Sequence, residues 1–534
     1  MKHGIGLRHL FRESSVLALL LLLESASGWG QELSTPATPP ADSLTAAVHE
    51  LQEQVRELRA AVIEVRSEAA QYRAETAELR RELQATRGEL TASVGGQTSA
   101  HSAVPAATAN SANTNSSLHP AQAGALEDRV AALEESSQLL NGKVDDQNQI
   151  KIESASKYRV RLSGIVLLNL FNTRGTTDNQ DFPTWATTQG PADPKGDFGV
   201  SLRQSELGLE VFGPRLAGAK TTGNLQLDFS GGFPNTLNGV NYGLVRLRIA
   251  SLRMDWQHTS IVAGQDNAFV SPLSPTSFAS LAVPALGYAG NLWGWIPQVR
   301  VEHRYDLSDG QSITLQGGIF DNLTGELPYD SFLRFPSAGE RSSQPSYGAR
   351  AAWTTNIFGR PMTLGTAGYY SRQDWSFNHH VDGWGGMADW DIPVSSRISL
   401  SGEFYRGRAL GGLGAGFGRS VLFSDAMIGP NTGVRALNSI GGWSQLKFKA
   451  SSRLEFNGAF GLDNPYAQDL RAFSAPQSYF FPSLAQNRSA LANFIYRPRS
   501  NLVFSGEYRY LRTFLIDSNS NNAEQVNMIM GILF

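Results

Sequence analysis

The region from Lys157 to the carboxyl end consists of short segments in which apolar and polar residues alternate. Side chains of a β-strand point alternately to its two faces, so each segment predicts a strand with one apolar and one polar face. Near the middle of the chain, for example, Val299 and Val301 alternate with Arg300 and Glu302. The last segment has a wholly apolar face, formed by Val526, Met528, Met530, Ile532 and Phe534.

The connections between these segments are alternately short and long. The short ones fall at residues 257–259, 306–310, 356–361, 392–396, 450–452 and 497–500, and the long ones at 173–198, 268–297, 321–344, 407–438 and 463–487. A barrel closed within lipid needs an apolar outer face and tolerates a polar lumen. We therefore predict an all-β membrane protein, in which residues 157–534 form an antiparallel transmembrane β-barrel of about 16 strands. The alternation slips once near Ala250, which predicts either a bulge or a contact between protomers.

The first 156 residues follow other patterns. Residues 1–30 combine basic residues, a short apolar run and small residues, which predicts a secretory signal peptide. Apolar residues at 3-4 spacing predict a coiled coil over residues 42–91 and a second, shorter one over 124–148, with a flexible linker over 92–123.

Charges beside the first coiled-coil seam predict how copies associate. Glu75 stands five residues before Arg80, and the same offset recurs for Glu68 with Arg73. This offset pairs opposite charges between parallel, in-register chains, so the segment predicts a parallel homo-oligomer with two or three chains left open. The alternative is a single solvated helix, which would not keep acids and bases on opposite sides of an apolar stripe.

Composition narrows the classes of function. The 534 residues carry a net charge of −3, and their mean hydropathy is −0.24, which disfavours both nucleic-acid binding through bulk charge and a helical membrane protein. The chain has no cysteine, so disulfides, thiolate metal sites and a Cys nucleophile are excluded. The sequence contains no Gly-rich phosphate loop, nucleophile elbow or spaced metal-ligand cluster, and we expect neither an enzyme nor a cofactor or metal. The adjacent His379 and His380 fit a solvated pair better than a metal site.

Residues 157–534 resemble trimeric sixteen-stranded bacterial outer-membrane porins, particularly phosphate-selective and dicarboxylate-type porins with a periplasmic N-terminal coiled coil. The resemblance rests on a first strand reading Tyr-Arg-Val-Arg-Leu-Ser-Gly, on strands joined by short turns, and on the terminal Phe534. It implies that the barrel assembly machinery reads Phe534 and that the third long loop folds into the lumen. That loop corresponds here to residues 269–297, which lack the Asp and Glu of general diffusion porins.

Selectivity in such a channel comes from charged side chains in the lumen. The predicted pore-lining residues are Arg159, Arg161, Arg246, Arg248, Arg300, Glu302, Arg304, Arg350, Arg397, Glu403, Lys447, Lys449, Arg453, Glu455, Glu507 and Arg509. Bases modestly outnumber acids on the predicted inward faces, which favours anionic or small polar solutes. Cross-strand salt bridges that brace the wall are the alternative role, and Arg300, Glu302 and Arg304 fit it best. Most Trp and Tyr side chains are predicted to form outward girdles, with Tyr369 and Tyr405 as inward candidates.

Two functions remain open from the sequence. The first is an outer-membrane porin, forming a homotrimer in lipid, that lets small polar or anionic solutes diffuse passively. The short turns, both chain termini of the barrel and the coiled coil would then face the periplasm. The second is a structural anchor whose coiled coil tethers the envelope to peptidoglycan or a periplasmic partner.

Overall fold

The alternating segments form one antiparallel sheet that closes on itself. The computed structural model describes residues 159–233, 243–308, 310–326, 333–479, 483–517 and 519–534. The predicted signal peptide, linker and both coiled coils lie outside these residues. The strands are β1 (Arg159–Arg174), β2 (Gly196–Ser201), β3 (Glu206–Leu216), β4 (Ala219–Asp228), β5 (Arg246–Asp255), β6 (Thr259–Asn267), β7 (Trp295–Ser308), β8 (Gln311–Phe320), β9 (Ser346–Ile357), β10 (Arg360–Asp374), β11 (His380–Pro393), β12 (Ile398–Arg408), β13 (Val421–Phe423), β14 (Val434–Ala436), β15 (Asn438–Lys449), β16 (Leu454–Pro465), β17 (Leu484–Arg499), β18 (Leu502–Leu515) and β19 (Ser520–Leu533).

Direct pairing of β1 with β19 closes the barrel. Val166 lies opposite Ile532, and the backbone of Gly164 exchanges hydrogen bonds of 2.9 and 3.1 Å with Phe534. On its other edge β1 pairs with both β2 and β3, which therefore occupy one position around the barrel. The hairpin β13–β14 forms a separate small sheet. Seventeen strands in the large sheet thus make sixteen positions, as the sequence predicts.

The two faces of the wall have the predicted character. Val166, Phe460 and Met528 lie on the outside and are 55%, 53% and 65% exposed. Asn169 and Asn527 lie on the inside and are fully buried. Apolar groups outside and polar groups inside suit a wall between lipid and water. Among the described residues, no helix is long and apolar enough to cross a bilayer.

The predicted slip of alternation is a bulge in β5. Opposite β4, Gln226 pairs with Ile249 and Leu227 pairs with Leu247, so Arg248 is the extra residue. The prediction is confirmed two residues before Ala250. An amide on the neighbouring strand satisfies the backbone here, because Gln265 Nε2 donates to the carbonyls of Leu247 and Arg248 at 3.1 and 2.9 Å.

Tight turns join the strands at one end of the barrel, and six of the eight connections at the other end are longer loops. We call these the short-turn end and the long-loop end. The connections at the long-loop end are L1 (residues 175–195), L2 (229–245), L3 (268–294), L4 (321–345), L5 (375–379), L6 (409–437), L7 (466–483) and L8 (516–519). Short helical turns occur in L4 (α1, Ala338–Arg341), in L6 (Gly411–Leu413, a 3-10 turn, and α2, Ala415–Gly418) and in L7 (α3, Ala467–Leu470).

Candidate functional site

L3 folds into the barrel, where polar side chains of the wall hold it from several directions. Glu403 of β12 accepts hydrogen bonds from Ser271 Oγ at 2.6 Å and from the Leu273 amide at 2.8 Å. Trp443 Nε1 on β15 donates to the same carboxylate at 3.3 Å. The inward carboxylate is only 5% exposed, so L3 covers it.

The next turn of L3 is held by β15, β17 and β18. The Thr276 amide donates to Gln445 Oε1 at 2.6 Å, and Asn493 Nδ2 donates to the Thr276 carbonyl at 2.9 Å. Ser277 Oγ donates to Glu507 Oε2 at 2.5 Å. Arg509 forms a 2.6 Å salt bridge with Glu507.

The far end of L3 is held from the opposite wall. Gln204, between β2 and β3, accepts from the amides of Leu281 and Ala282 at 2.8 and 3.1 Å and donates to the Ala279 carbonyl at 3.1 Å. Arg246 Nη2 donates to the Ala282 carbonyl at 2.6 Å. L3 thus runs across the lumen with anchors on β12, β15, β17, β18 and β5, as expected for the third loop.

A network of ion pairs follows the inner wall from β3 to β11, and we call it the ion-pair belt. Arg300 contacts Asp266 at 2.9 Å and Glu302 at 2.7 Å. Arg350 makes two hydrogen bonds of 2.9 and 2.7 Å with Asp389. The other members are Glu206, Asp228, Arg246, Arg248, Arg253 and Asp255. The belt has six acids for its five bases, so it braces the wall and adds no positive charge to the lumen.

A second group of bases, the basic cluster, lies towards the short-turn end and consists of Arg397, Lys447, Lys449, Arg453 and Arg497. Trp443 and Gln445 face L3, and strand alternation places Lys447 and Lys449 on the same inner face. Arg497 approaches Glu455 at 3.5 Å. The other four bases form no salt bridge with a described residue, so the cluster keeps a positive excess.

A cavity of about 430 Å³ lies between L3 and the wall. Its lining includes Arg248 on β5, Arg497 on β17 and the hydroxyl-bearing stretch of L3 from residue 271 to 280. Arg248 stacks over the Trp295 ring at 4.6 Å, and Arg497 lies 5.6 Å from the Phe278 ring. Guanidinium groups therefore stand on two sides of the loop that narrows the lumen.

The remaining predicted pore-lining residues lie at the short-turn end. Arg161 forms a 3.3 Å salt bridge with Glu210, and Arg159 stacks on Phe212 at 4.9 Å. Arg304 pairs with the exposed Asp306 at 2.7 Å. No group of residues suited to a metal ion occurs within the part of the chain that the structure describes.

L6 is a second inserted loop, which the sequence analysis missed. The Trp293 amide of L3 donates to the Leu413 carbonyl of L6 at 3.1 Å. The Phe417 amide donates to Asp463 on β16 at 3.1 Å, and Tyr405 donates to the same carboxylate at 2.5 Å. The signal for this insertion was present, because residues 409–418 are Gly-rich and apolar with no charge.

L1 meets L3 and L6 at the long-loop end. Trp185 of L1 packs edge-on against Tyr288 at 5.4 Å and Phe417 at 6.1 Å. Asp178 folds L1 by accepting from the amides of Thr184 and Trp185 at 2.8 and 3.0 Å. Burial raises the pKa of this carboxyl from 3.8 to about 6.

One aromatic side chain departs from the predicted girdle, since Trp443 is 3% exposed and lies inside. Tyr369, an inward candidate, is 8% exposed and lies inside as predicted, where it packs with Phe269 of L3. The prediction that Trp443 faces outwards was wrong, because its indole nitrogen donates a hydrogen bond to Glu403 inside the barrel. Trp353, Trp384 and Tyr370 lie on the outside as predicted.

Comparison with known proteins identifies the fold. No protein-family model matches the chain, and no curated protein matches its sequence. The outer membrane channel DcaP of Acinetobacter baumannii is similar in structure, with 17% identity and a TM-score of 0.54 over 72% of this chain and 99% of that one. An anion-selective porin from Comamonas acidovorans has 12% identity and a TM-score of 0.43, over 71% and 100% of the two chains. Pseudomonas putida OprB has 11% identity and a TM-score of 0.42, over 70% of this chain and 94% of that one. The likeness to DcaP supports a closed barrel.

Proposed function

We propose that this chain is a bacterial outer-membrane porin through which small polar solutes diffuse passively. The observation that carries the proposal is L3, held across the lumen of a closed barrel whose outer face is apolar. A loop anchored on opposite walls narrows the passage without a moving part, as a selective passive channel requires. DcaP, which shares the fold, is an outer membrane channel.

The preferred solutes of this porin are anionic. Support comes from the contrast between the two charged groups in the lumen. Four bases of the ion-pair belt have an acid 2.6–3.1 Å away, and the fifth, Arg248, pairs with Glu206. Lys447 and Lys449, in contrast, form no salt bridge with another described residue. An excess of positive charge inside a narrow passage raises the local concentration of anions.

Assembly and location follow from the same proposal. The porin is a homotrimer in the lipid of the outer membrane, with its short-turn end and the predicted coiled coil of residues 42–91 in the periplasm. The exposed Phe534, which is 47% accessible, is the recognition feature for the barrel assembly machinery. The parallel charge pattern of the heptads supports association of identical chains.

Planar-bilayer recording of the purified full chain tests the function. We expect discrete conductance steps and, under a potassium chloride gradient, a reversal potential that reports preference for chloride. The double variant Lys447→Gln/Lys449→Gln should shift the reversal potential towards cation preference, because it removes the unmatched positive charge.

The matched control is Arg488→Gln/Arg512→Gln, which removes two positive charges from exposed positions that face outwards on β17 and β18. Its reversal potential should equal that of the native chain. A bilayer that stays silent at high protein concentration contradicts the channel. Conductance steps that show a preference for cations contradict only the proposed preference for anions.

A further inference from the structure

Two arginines face each other on the outer surface of the barrel, near the long-loop end. Arg488 on β17 lies directly opposite Arg512 on β18, and both side chains are exposed. Their neighbours Asn487 and Thr513 are hydrogen-bonded to each other inside the wall, so strand alternation turns both arginines outwards. Like charges placed directly opposite each other destabilise a sheet, and an anion between them would relieve this repulsion.

The described part of the chain gives this pair no acidic partner. Neither guanidinium group forms a salt bridge with a described residue, and Arg488 Nε donates instead to Gln486 Oε1 at 2.8 Å. The outward acid on the neighbouring strand, Glu524, lies opposite Tyr510 rather than Arg512. An anion from outside the chain is therefore the group that would neutralise the pair.

One aromatic ring holds both guanidinium groups. Arg488 and Arg512 lie over the Phe514 ring, at 4.9 and 4.8 Å from its centre. A stacked guanidinium keeps its N–H edge available to a ligand, and its planar fork matches the oxygens of a phosphate group. We call this pair, with its ring, the arginine clamp.

A third outward arginine stands across a cleft from the arginine clamp. The cleft has a volume of about 370 Å³ and is lined in part by Tyr466 and Gln486. Arg406 on β12 stacks on Tyr466 at 4.5 Å and forms no salt bridge with another described residue. Three strand spacings separate β12 from β17, which puts Arg406 roughly 15 Å from the clamp. A ligand that bridges the cleft therefore needs two anionic groups.

Aromatic residues mark the height of these arginines along the wall. Tyr508, on the same strand as Arg512, is exposed on the outside, and the Trp384 ring lies 5.3 Å from Arg406. Trp and Tyr concentrate where a barrel wall meets the lipid headgroups. An outward arginine costs far less at that height than at the middle of the bilayer, so the three arginines stand where lipid headgroups lie.

We propose that the arginine clamp and Arg406 bind a lipid of the outer leaflet that carries two phosphate groups. One phosphate enters the clamp and the other meets Arg406 across the cleft. The acyl chains lie along the wall towards the short-turn end, where Phe460 and Phe494 are exposed. The inference rests on the proposed outer-membrane location, which puts the long-loop end in the outer leaflet. The site lies outside the lumen, so conduction does not depend on it.

Native mass spectrometry of the purified full chain in detergent micelles tests the proposal. The probe is lipid A, a glycolipid with two phosphates, and it is compared with its monophosphoryl form. The native chain should retain lipid A at a concentration about tenfold lower than the monophosphoryl form, because the second phosphate adds charge-assisted hydrogen bonds. Arg488→Gln/Arg512→Gln and Arg406→Gln should each raise the concentration needed for lipid A by about tenfold. The control Arg360→Gln removes an outward arginine from β10 at the short-turn end and should retain lipid A as the native chain does.

Circular dichroism of the same samples establishes that each variant is folded, and Arg406→Gln carries the test if the double variant is not. Folded variants that retain lipid A as well as the native chain overturn the proposal. Equal retention of lipid A and the monophosphoryl form overturns the role of Arg406. Inorganic phosphate that binds as tightly as lipid A identifies a site for the free anion and overturns the lipid.

Bilayer recording separates a failure of this proposal from a failure of the porin. A native chain that conducts but retains no lipid A overturns the lipid site and leaves the porin standing. A native chain that neither conducts nor retains lipid A overturns both.

Discussion

Removing the carboxylate of Glu403 should loosen the constriction. This side chain accepts from Ser271 Oγ, the Leu273 amide and Trp443 Nε1. In Glu403→Leu all three donors lose their acceptor, while Glu403→Gln keeps one acceptor oxygen and loses at least one contact. Each buried donor left unpaired costs about 1–3 kcal/mol.

The magnitude follows from the count of contacts. Trp443 belongs to the wall and loses its acceptor whether or not L3 is attached, and Ser271 Oγ retains a second acceptor, the Leu292 carbonyl at 2.9 Å. The Leu273 amide is therefore the donor of L3 that bears the full cost in Glu403→Leu. The attachment of L3 to β12 should therefore weaken by about 1–3 kcal/mol. Since about 1.4 kcal/mol is a factor of ten, the state in which L3 is detached from β12 should become at least about fivefold more populated.

Single-channel recording measures this population directly. Glu403→Leu should show a higher mean conductance and more frequent transitions than the native chain, and Glu403→Gln should lie between them. Glu210→Leu is the control, because its carboxylate lies in the lumen but pairs with Arg161, away from L3. If Glu403→Leu gave the native conductance and noise, L3 would not depend on this anchor and the reasoning would be wrong.

Three further predictions concern L1, the N-terminal region and the carboxyl end. The pKa of Asp178, about 6, lies above its ordinary value of 3.8, so folded L1 binds the proton more tightly and should lose stability as pH rises from about 4 to about 6. The protection of the amides of residues 184–185 against hydrogen exchange, relative to the unfolded chain at the same pH, should therefore fall across that range, and this fall should vanish in Asp178→Asn but persist in Asp193→Asn. Deletion of residues 42–148 should preserve conductance; a loss of envelope integrity in cells that carry the deletion would favour the tether. Phe534→Ala should lower the amount of folded barrel in cells yet leave refolding in detergent unchanged, and a loss of both would point to folding rather than recognition.

Much of the barrel could be predicted because strand alternation is a local signal. The outward residues from Val299 to Met528, the number of strands and the bulge in β5 depend on neighbours a few positions apart. A break in the alternation of apolar and polar residues can be recognised from the residues on either side of it. The bulge at Arg248 was therefore predicted to within two residues. The third loop was identified by its unusual apolar character.

The anchors of L3 could not be predicted, since they join residues far apart in the chain. Ser271 and Glu403 are separated by 132 positions, and Ser277 and Glu507 by 230. No local pattern distinguishes an inward acid that receives a loop from one that faces water. Trp443 illustrates the difficulty, because a tryptophan on a barrel strand ordinarily belongs to the outer girdle.

The pairing of the first strand with the last has a consequence for biogenesis. Until β19 emerges, β1 presents an unsatisfied backbone edge, and fifteen of the sixteen positions form a curved sheet with two open margins. Such an intermediate can pair with any other exposed edge, including that of another copy. Safe maturation therefore requires that the nascent polypeptide be sheltered until its carboxyl-terminal segment is delivered, so premature termination should produce aggregates rather than a smaller pore.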